Sequence, residues 1–241
     1  MPFQERHEET KKTSIQHFQL NQPIPLSTPL TQPSYYINSD HPTVLDFVAK
    51  NSSPTQSEKE NSIQLYYAIR DGIWYDPNTS GLAPDQLTAS YVLERGTGHC
   101  VEKAVVLAAC MRALGIPAKL EFFDVKNHIA SQKLLDRLRS DVFAFHGLTQ
   151  IYLDGKWVKA TPAFNAKLCE KFNVTPLEFN GETDSQFQEF DADGGKFMEY
   201  LHHYGTFDDM PRELFIGVLI KHYPHLFPQA RIQEFLWDKM L

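Results

Sequence analysis

The sequence predicts an α+β fold in which one buried helix packs against a small antiparallel sheet. Residues 101–114 are apolar almost all round, interrupted mainly by three charged side chains, as expected for a helix that is surrounded by protein. Further along, Asp154-Gly155 separates two β-rich runs, and this dipeptide tolerates the positive φ angles of a two-residue hairpin turn. A central helix and a hairpin therefore form the predicted core.

The region before the central helix predicts an arm and two helices. Residues 1–34 are polar and then proline-punctuated, which indicates an extended N-terminal arm, and we assign 35–241 to one domain. A cap-like Asp40 precedes an apolar pattern that predicts a short helix over 42–50. Apolar residues near helical spacing predict a second helix over 57–72.

The region after the central helix predicts the sheet. Gly115 and Pro117 end the helix and start a strand, and 129–139 resembles a short surface helix. The hairpin then places His146 in its first strand and Thr161 near the end of its second. Residues beyond 165 mix turns with apolar segments and are expected to end in helices that wrap the core.

Composition narrows the class of protein. The chain has 23 basic and 30 acidic residues, a net charge of −7, and no cluster of lysine or arginine, so neither nucleic acid nor a membrane surface is expected as a partner. Three cysteines without a C-x-x-C pair fit a reducing compartment. We find no secretion signal and no run near the roughly 18 apolar residues of a membrane span, and we predict a cytoplasmic protein. The sequence does not determine an oligomeric state.

Cys100 stands at the start of the central helix, a position that can make a thiol more reactive. Cysteine reacts as the thiolate, and the free N–H groups and positive dipole end of a helix N-terminus lower its pKa. A neighbouring imidazolium lowers it further, and His146 is our candidate because a strand gives it a rigid, aimed side chain. His99 is a poor candidate for the base, since adjacent residues on a helix point in different directions.

The glycines before Cys100 fit the same hypothesis. Gly96 and Gly98 allow a tight turn into the helix and a close approach of substrate to the backbone, and the Cys100 N–H is a candidate oxyanion donor. We therefore assign Gly98 and His99 to the substrate-binding region. No metal or cofactor is predicted, because the histidines His202, His203, His222 and His225 lack companions with ligand spacing.

Two segments together resemble a known family. "GTGHCVEKAVVLAACMRALGIPAKL" followed by "HGLTQIYLDGKWVKATP" is similar to the core of the transglutaminase-like superfamily, which is related to papain-like thiol enzymes. The similarity covers roughly residues 58–165 and includes "LYYAIRDGIWYDP". It implies a papain-like fold in which Cys100 attacks an amide carbonyl and His146 shuttles the proton. It also implies that Trp74 or Tyr75 borders the substrate pocket.

The third member of the expected triad departs from the family pattern. The acid that usually stands before a proline after the hairpin tryptophan is replaced by Thr161, and the usual aromatic residue two positions after the histidine is replaced by Leu148. A threonine hydroxyl can orient an imidazole but cannot stabilise its positive charge. Asn165 is a second candidate for orienting His146, as an asparagine does in papain-like sites.

The predicted function is thiol-dependent acyl chemistry on a peptide or amide, either hydrolysis or transfer to an amine. Cys100 attacks, His146 acts as base and then acid, and Thr161 or Asn165 orients the imidazole. The partner is then a peptide or protein that carries the amide. The alternative is a module that keeps the fold but binds a peptide or protein without catalysis, and Thr161 is the feature that favours it.

Overall fold

The computed structural model describes residues 29–79, 83–128, 132–186 and 198–227. In chain order, the helices of this part are α1 (Pro42–Asn51), α2 (Glu58–Gly72), α3 (Ala89–Arg95), α4 (Cys100–Ala113), α5 (Gln132–Leu138), α6 (Ala166–Lys171) and α7 (Arg212–His222). Its strands are β1 (Trp74–Tyr75), β2 (Thr97–Gly98), β3 (Ala118–Asn127), β4 (Val142–Leu153), β5 (Lys156–Ala160) and β6 (Met198–Phe207). No helix of this part is long and apolar enough to cross a membrane.

The α4 helix is the centre of the fold, which confirms the prediction of a buried helix. Helices α1, α2 and α3 and strands β3 and β4 all pack on it. Every residue from Val101 to Arg112 is buried. Arg112, at its C-terminal end, is buried because its guanidinium donates to the carbonyls of Ala118, Gln32 and Asp208.

Four antiparallel strands form the sheet in the order β5-β4-β3-β6. The β4–β5 hairpin turns at Asp154 and Gly155, whose φ angles are 49° and 83°, as the sequence predicted. Thr149 of β4 donates from its hydroxyl to the Ala104 carbonyl at 2.9 Å, so this face of the sheet lies directly on α4. The other face carries a smaller apolar cluster that includes Phe123 and Leu148.

Several elements differ from the sequence prediction. The N-cap of α1 is His41 rather than Asp40, because the His41 ring accepts the Thr43 N–H at 3.3 Å. Strand β6 pairs with β3 along its length, whereas the sequence indicated only turns mixed with apolar segments beyond 165, followed by helices. Most of its side chains are at least partly exposed, so burial imposes little apolar alternation on its sequence. Most of the predicted N-terminal arm, and any helix after 227, lies outside the described residues.

Candidate active site

The entrance to α4 is built by a short run of residues that fixes Cys100 at the first helical position. Gly96 ends α3 with a left-handed φ of 69°, and β2 follows it. His99 is the N-cap of α4, and its ring accepts the Val101 N–H at 3.2 Å. The Glu102 carboxylate accepts the His99 N–H at 2.9 Å and closes a reciprocal capping box. His99, which we assigned to substrate binding, therefore also holds the helix start in place.

Glu102 fixes this capping box from inside the protein. Its side chain is fully buried and lies 2.8 Å from the Arg95 guanidinium, and it accepts a hydrogen bond from the Thr79 hydroxyl at 2.8 Å. Gly98 allows this packing, because a Cβ added at that position would lie 3.3 Å from Glu102 Cβ and 3.2 Å from a Val92 methyl group. A buried carboxylate therefore organises the turn from which Cys100 emerges.

The Trp74–Tyr75 segment lies beside the Cys100 turn because β1 and β2 form a parallel pair, with Trp74 opposite Thr97 and Tyr75 opposite Gly98. Tyr75 lines the cavity that contains Cys100. Trp74 is 47% exposed and is not among the described lining residues. Of the two aromatic residues assigned to the pocket, the geometry places Tyr75 there.

Cys100 and His146 line the same cavity, which has a volume of about 320 Å³. Strand β4 reaches Cys100 because Gly147, the residue after His146, has no side chain: an added Cβ would lie 3.0 Å from Val101 Cα and 3.1 Å from the Phe122 ring. The close approach brings the backbone N–H of Gly147 to the Cys100 sulfur as a hydrogen-bond donor. Folding thus brings the start of α4 and strand β4 to one cavity, and the pairing of the Cys100 sulfur with the His146 imidazole stays a prediction.

The strand that carries His146 is bent just before it. Phe145 has a φ of 60°, a left-handed value that is rare for a bulky residue, and the β3–β4 register shifts at this point. The Asp124 carboxylate accepts the Phe145 N–H at 2.9 Å and the Tyr204 hydroxyl at 2.8 Å, and the His222 ring lies 3.5 Å from it. Asp124 therefore supports the bulge that precedes His146.

A second group of contacts supports the same bend. The Tyr223 hydroxyl accepts the Ala144 N–H at 2.8 Å and donates to the Val142 carbonyl at 2.7 Å. Sequence reasoning missed both Tyr223 and Asp124, because no motif marks them and their role depends on contacts between distant segments.

Burial sets the protonation of Cys100 and His146. Removal from water raises the pKa of the Cys100 thiol to about 11, although hydrogen bonds from the backbone N–H groups of Gly147 and Val101 act in the opposite direction. Burial also lowers the pKa of His146 to about 3, and the nearby His99 adds to this effect. The expectation of a lowered thiol pKa is therefore wrong, because desolvation outweighs the helix N-terminus. Both groups are neutral near pH 7.

Asn165 and Thr161, the two candidates for orienting His146, lie just after the hairpin. The Asn165 side chain accepts the Tyr75 N–H at 2.7 Å and donates to the carbonyls of Arg70 and Ile73. It therefore fixes the segment that forms the cavity wall. Thr161 is buried, its carbonyl accepts the Tyr66 hydroxyl at 3.1 Å, and its own hydroxyl makes no hydrogen bond with a described residue. The assignment of either side chain as the group that orients the imidazole stays a prediction.

Lys103, on the first turn of α4, reinforces that segment. Its ammonium group is fully buried and donates to the carbonyls of Arg70, Ile73 and Ala163 at 2.8 to 2.9 Å. Burial lowers its pKa to about 7. The bonds tie the end of α2 and the residues after β5 to the helix that carries Cys100. Sequence reasoning noted Lys103 only as an interruption of an apolar pattern.

Comparison with known proteins gives one family match. Residues 45–162 match the model of the transglutaminase-like superfamily. No curated protein matches the chain.

Six solved chains match the structure. A putative cysteine protease from Cytophaga hutchinsonii is 18% identical with a TM-score of 0.44, and the match covers 74% of this chain and 53% of that one. A putative protease from Parabacteroides distasonis is 17% identical with a TM-score of 0.35, and the match covers 56% of this chain and 25% of that one. This chain therefore spans about half the length of the first protein and about a quarter of the second.

The family match spans the elements built above, from α1 to the end of the hairpin, and it contains both Cys100 and His146. Residues 45–162 of this chain belong to the transglutaminase-like superfamily.

Proposed function

We propose that this protein carries out thiol-dependent acyl chemistry on a peptide or amide substrate. The observation that carries the proposal is the cavity in which Cys100, at the first position of α4, and His146, on β4, both line the wall. A thiol at a helix start beside a strand histidine provides a nucleophile and a proton acceptor for acyl transfer. The family match supports the same class of activity.

The reaction follows from the two neutral groups. The Cys100 sulfur attacks the carbonyl carbon while His146 accepts the thiol proton, and the backbone N–H of Cys100 is the candidate donor to the developing oxyanion. The C–N bond then breaks, and His146 returns the proton to the leaving amine. Water or a second amine attacks the thioester with His146 as base, which releases the acyl group and restores the thiol.

The pKa values of Cys100 and His146 determine at which step of the reaction the thiol proton moves. A thiol with a pKa of about 11 and an imidazole with a pKa of about 3 do not form an ion pair in the protein without substrate. Proton transfer therefore accompanies attack on the bound substrate, whose polar atoms and displaced packing change the environment of both groups. Activity then depends strongly on how the substrate occupies the cavity.

A second candidate function is a binding module that lacks catalysis. Thr161 stands where the family has its acid, and its hydroxyl carries no charge to stabilise an imidazolium. The neutral pair at rest favours the same alternative. A protein of this kind keeps the cavity and its peptide ligand but forms no thioester.

The two candidates are separated by trapping the acyl-enzyme. We propose incubation of the protein with a mixture of peptides, an acid quench and intact-mass measurement, in parallel with a hydroxylamine arm that converts a thioester to a hydroxamate. The enzyme gives a mass adduct on Cys100 that Cys100→Ala lacks and that forms at least about a hundredfold more slowly in His146→Gln. Peptide binding with neither adduct nor product identifies the binding module instead.

A further inference from the structure

A second cavity, which we call the apolar cavity, lies next to the one that holds Cys100. It has a volume of about 280 Å³. Large apolar side chains dominate its described walls: Leu134, Phe143, Phe164, Leu168, Phe172 and Val174. The two cavities adjoin, since both are lined by Tyr75, Pro77, Asn78, Leu134, Arg137 and Phe143. A ligand whose amide lies at Cys100 therefore has an apolar compartment within reach.

The wall between the two cavities is held in place. The Tyr75 ring packs edge-on against Phe164, with centroids 4.7 Å apart, and the Tyr75 N–H is bound by Asn165. A pocket with fixed walls discriminates between side chains, because the wall does not collapse when the occupant is too small. Tyr75 therefore separates a reacting compartment from a side-chain compartment.

The charged side chains among the described walls of the two cavities are all positive. Lys133 and Arg137 line the apolar cavity, Arg137 also lines the Cys100 cavity, and no aspartate or glutamate is among the described lining residues of either. The two cations are four positions apart on α5 and share one face of that helix. Acidic residues outnumber basic ones by 30 to 23 in the whole chain. Described cavity walls whose charged residues are all cations therefore differ in charge from the chain as a whole. These cations complement an anionic ligand.

We infer that the apolar cavity is the specificity pocket of this site, and that it takes a large apolar side chain next to the reacting amide while Lys133 and Arg137 bind a carboxylate of the same peptide. The substrate class is thus an apolar and acidic peptide segment. The carboxylate is either an aspartate or glutamate side chain or the chain end. This inference rests on the proposed function for the amide chemistry, but the binding preference exists without it.

The test measures binding alone. We propose Cys100→Ala protein, which forms no thioester, and fluorescence anisotropy with labelled pentapeptides that are blocked at both ends and carry Phe-Asp, Phe-Asn, Phe-Lys or Ala-Asp at the centre. A fifth peptide ends in Phe with a free carboxylate, which distinguishes the two sources of the anion. Phe-Asp binds roughly tenfold or more tightly than Ala-Asp, because an apolar side chain is buried. It binds about two- to fivefold more tightly than Phe-Asn, as is typical of an exposed ion pair.

Matched variants test the residues. In the double variant Lys133→Glu and Arg137→Glu, the preference inverts, so that Phe-Lys binds more tightly than Phe-Asp. The control is Lys167→Glu with Lys171→Glu on the neighbouring helix α6, which changes the net charge equally at two exposed residues outside the described cavity walls. Leu168→Trp fills the apolar cavity and removes the distinction between Phe and Ala. Circular dichroism confirms that each variant is folded.

The outcomes separate this inference from the proposed function. Equal binding of Phe and Ala peptides, or an equal change of charge preference in the control and in the α5 variant, overturns the specificity pocket. Wild-type turnover of peptides without either preference also overturns it while leaving the acyl chemistry intact. The expected preferences in a protein that forms no acyl-enzyme support the pocket and refute the enzyme.

Discussion

Gly147→Ala tests the contact that brings the histidine strand to Cys100. An added Cβ would lie 3.0 Å from Val101 Cα and 3.1 Å from the Phe122 ring, where carbon atoms usually sit about 3.5 to 4.0 Å apart. The Val101 atom belongs to the backbone of the central helix, so relief requires β4 to move away from α4 by several tenths of an ångström. We expect a loss of about 1 to 3 kcal/mol in the free energy of unfolding.

The same shift changes the chemistry of the thiol. It lengthens the hydrogen bond from the Gly147 N–H to Cys100, which removes a group that stabilises the thiolate. The rate of iodoacetamide labelling at Cys100, followed by intact mass, should therefore change together with the stability that urea unfolding measures.

Gly217→Ala is the matched control. Gly217 lies within α7 with no atom within 4 Å of an added Cβ, so alanine should stabilise the protein by about 0.5 to 1 kcal/mol. A Gly147→Ala protein as stable as the wild type, with unchanged labelling, would refute the claim that this close approach positions the site.

Three further predictions address buried polar groups. Lys103→Met should lower the free energy of unfolding by about 2 to 4 kcal/mol, since one ammonium bonds three buried carbonyls, and urea unfolding measures it. Asp124→Asn should lower turnover, or the labelling rate of Cys100, more than it lowers stability, because a bend before His146 depends on the carboxylate. Iodoacetamide labelling of Cys100 should be slow at pH 7 and rise until about pH 11, as the raised thiol pKa requires.

Each of these has a control and a contrary result. Lys167→Met removes an exposed lysine and should leave stability within about 0.5 kcal/mol; an equal loss in both variants would contradict the role of Lys103. Asp136→Asn on exposed α5 is the control for Asp124→Asn, and equal activity in the two proteins would remove Asp124 as a positioning residue. A labelling rate that is already maximal below pH 7 would contradict the neutral pair.

The pKa of His146 adds a prediction for acid stability. The folded-state pKa, about 3, lies below the ordinary value of 6.5, so the unfolded chain binds the additional proton between these pH values. Stability should therefore fall as the pH drops from about 6.5 towards 3, by at most about 5 kcal/mol. His146→Gln should flatten that part of the curve, whereas His128→Gln, which removes a partly exposed histidine, should not. Parallel curves for the wild type and His146→Gln would show that His146 is not buried in the neutral form.

Local patterns predicted the parts of the fold that local chemistry controls. The apolar run of α4 and the Asp154-Gly155 turn were both identified, because burial on all sides and positive φ angles leave clear signals in the sequence. The short parallel pair between β1 and β2 was not identified, since two residues in each strand carry no periodicity. Yet that pair places Tyr75 in the cavity.

The sequence placed Cys100 and His146 on a helix start and a strand, but it did not predict their protonation. The positions of Cys100 and His146 followed from a helix start and a strand, but their protonation depends on how completely the surrounding chain excludes water. The support of the bend by Asp124 joins β3 to β6 and α7, at separations that no local pattern encodes. A buried lysine such as Lys103 is equally invisible, because its acceptors are backbone carbonyls of distant segments.

The neutral thiol of Cys100 also affects how fast peroxide oxidises this residue. Peroxide attacks thiolate far faster than thiol, so a sulfur that keeps its proton at rest escapes conversion to sulfenic and sulfinic acid. Under the proposed function, the burial that delays the chemistry until a ligand binds also preserves the thiol that would perform it. Exposure to hydrogen peroxide should accordingly leave Cys100 largely intact in the free protein, as intact-mass measurement would show.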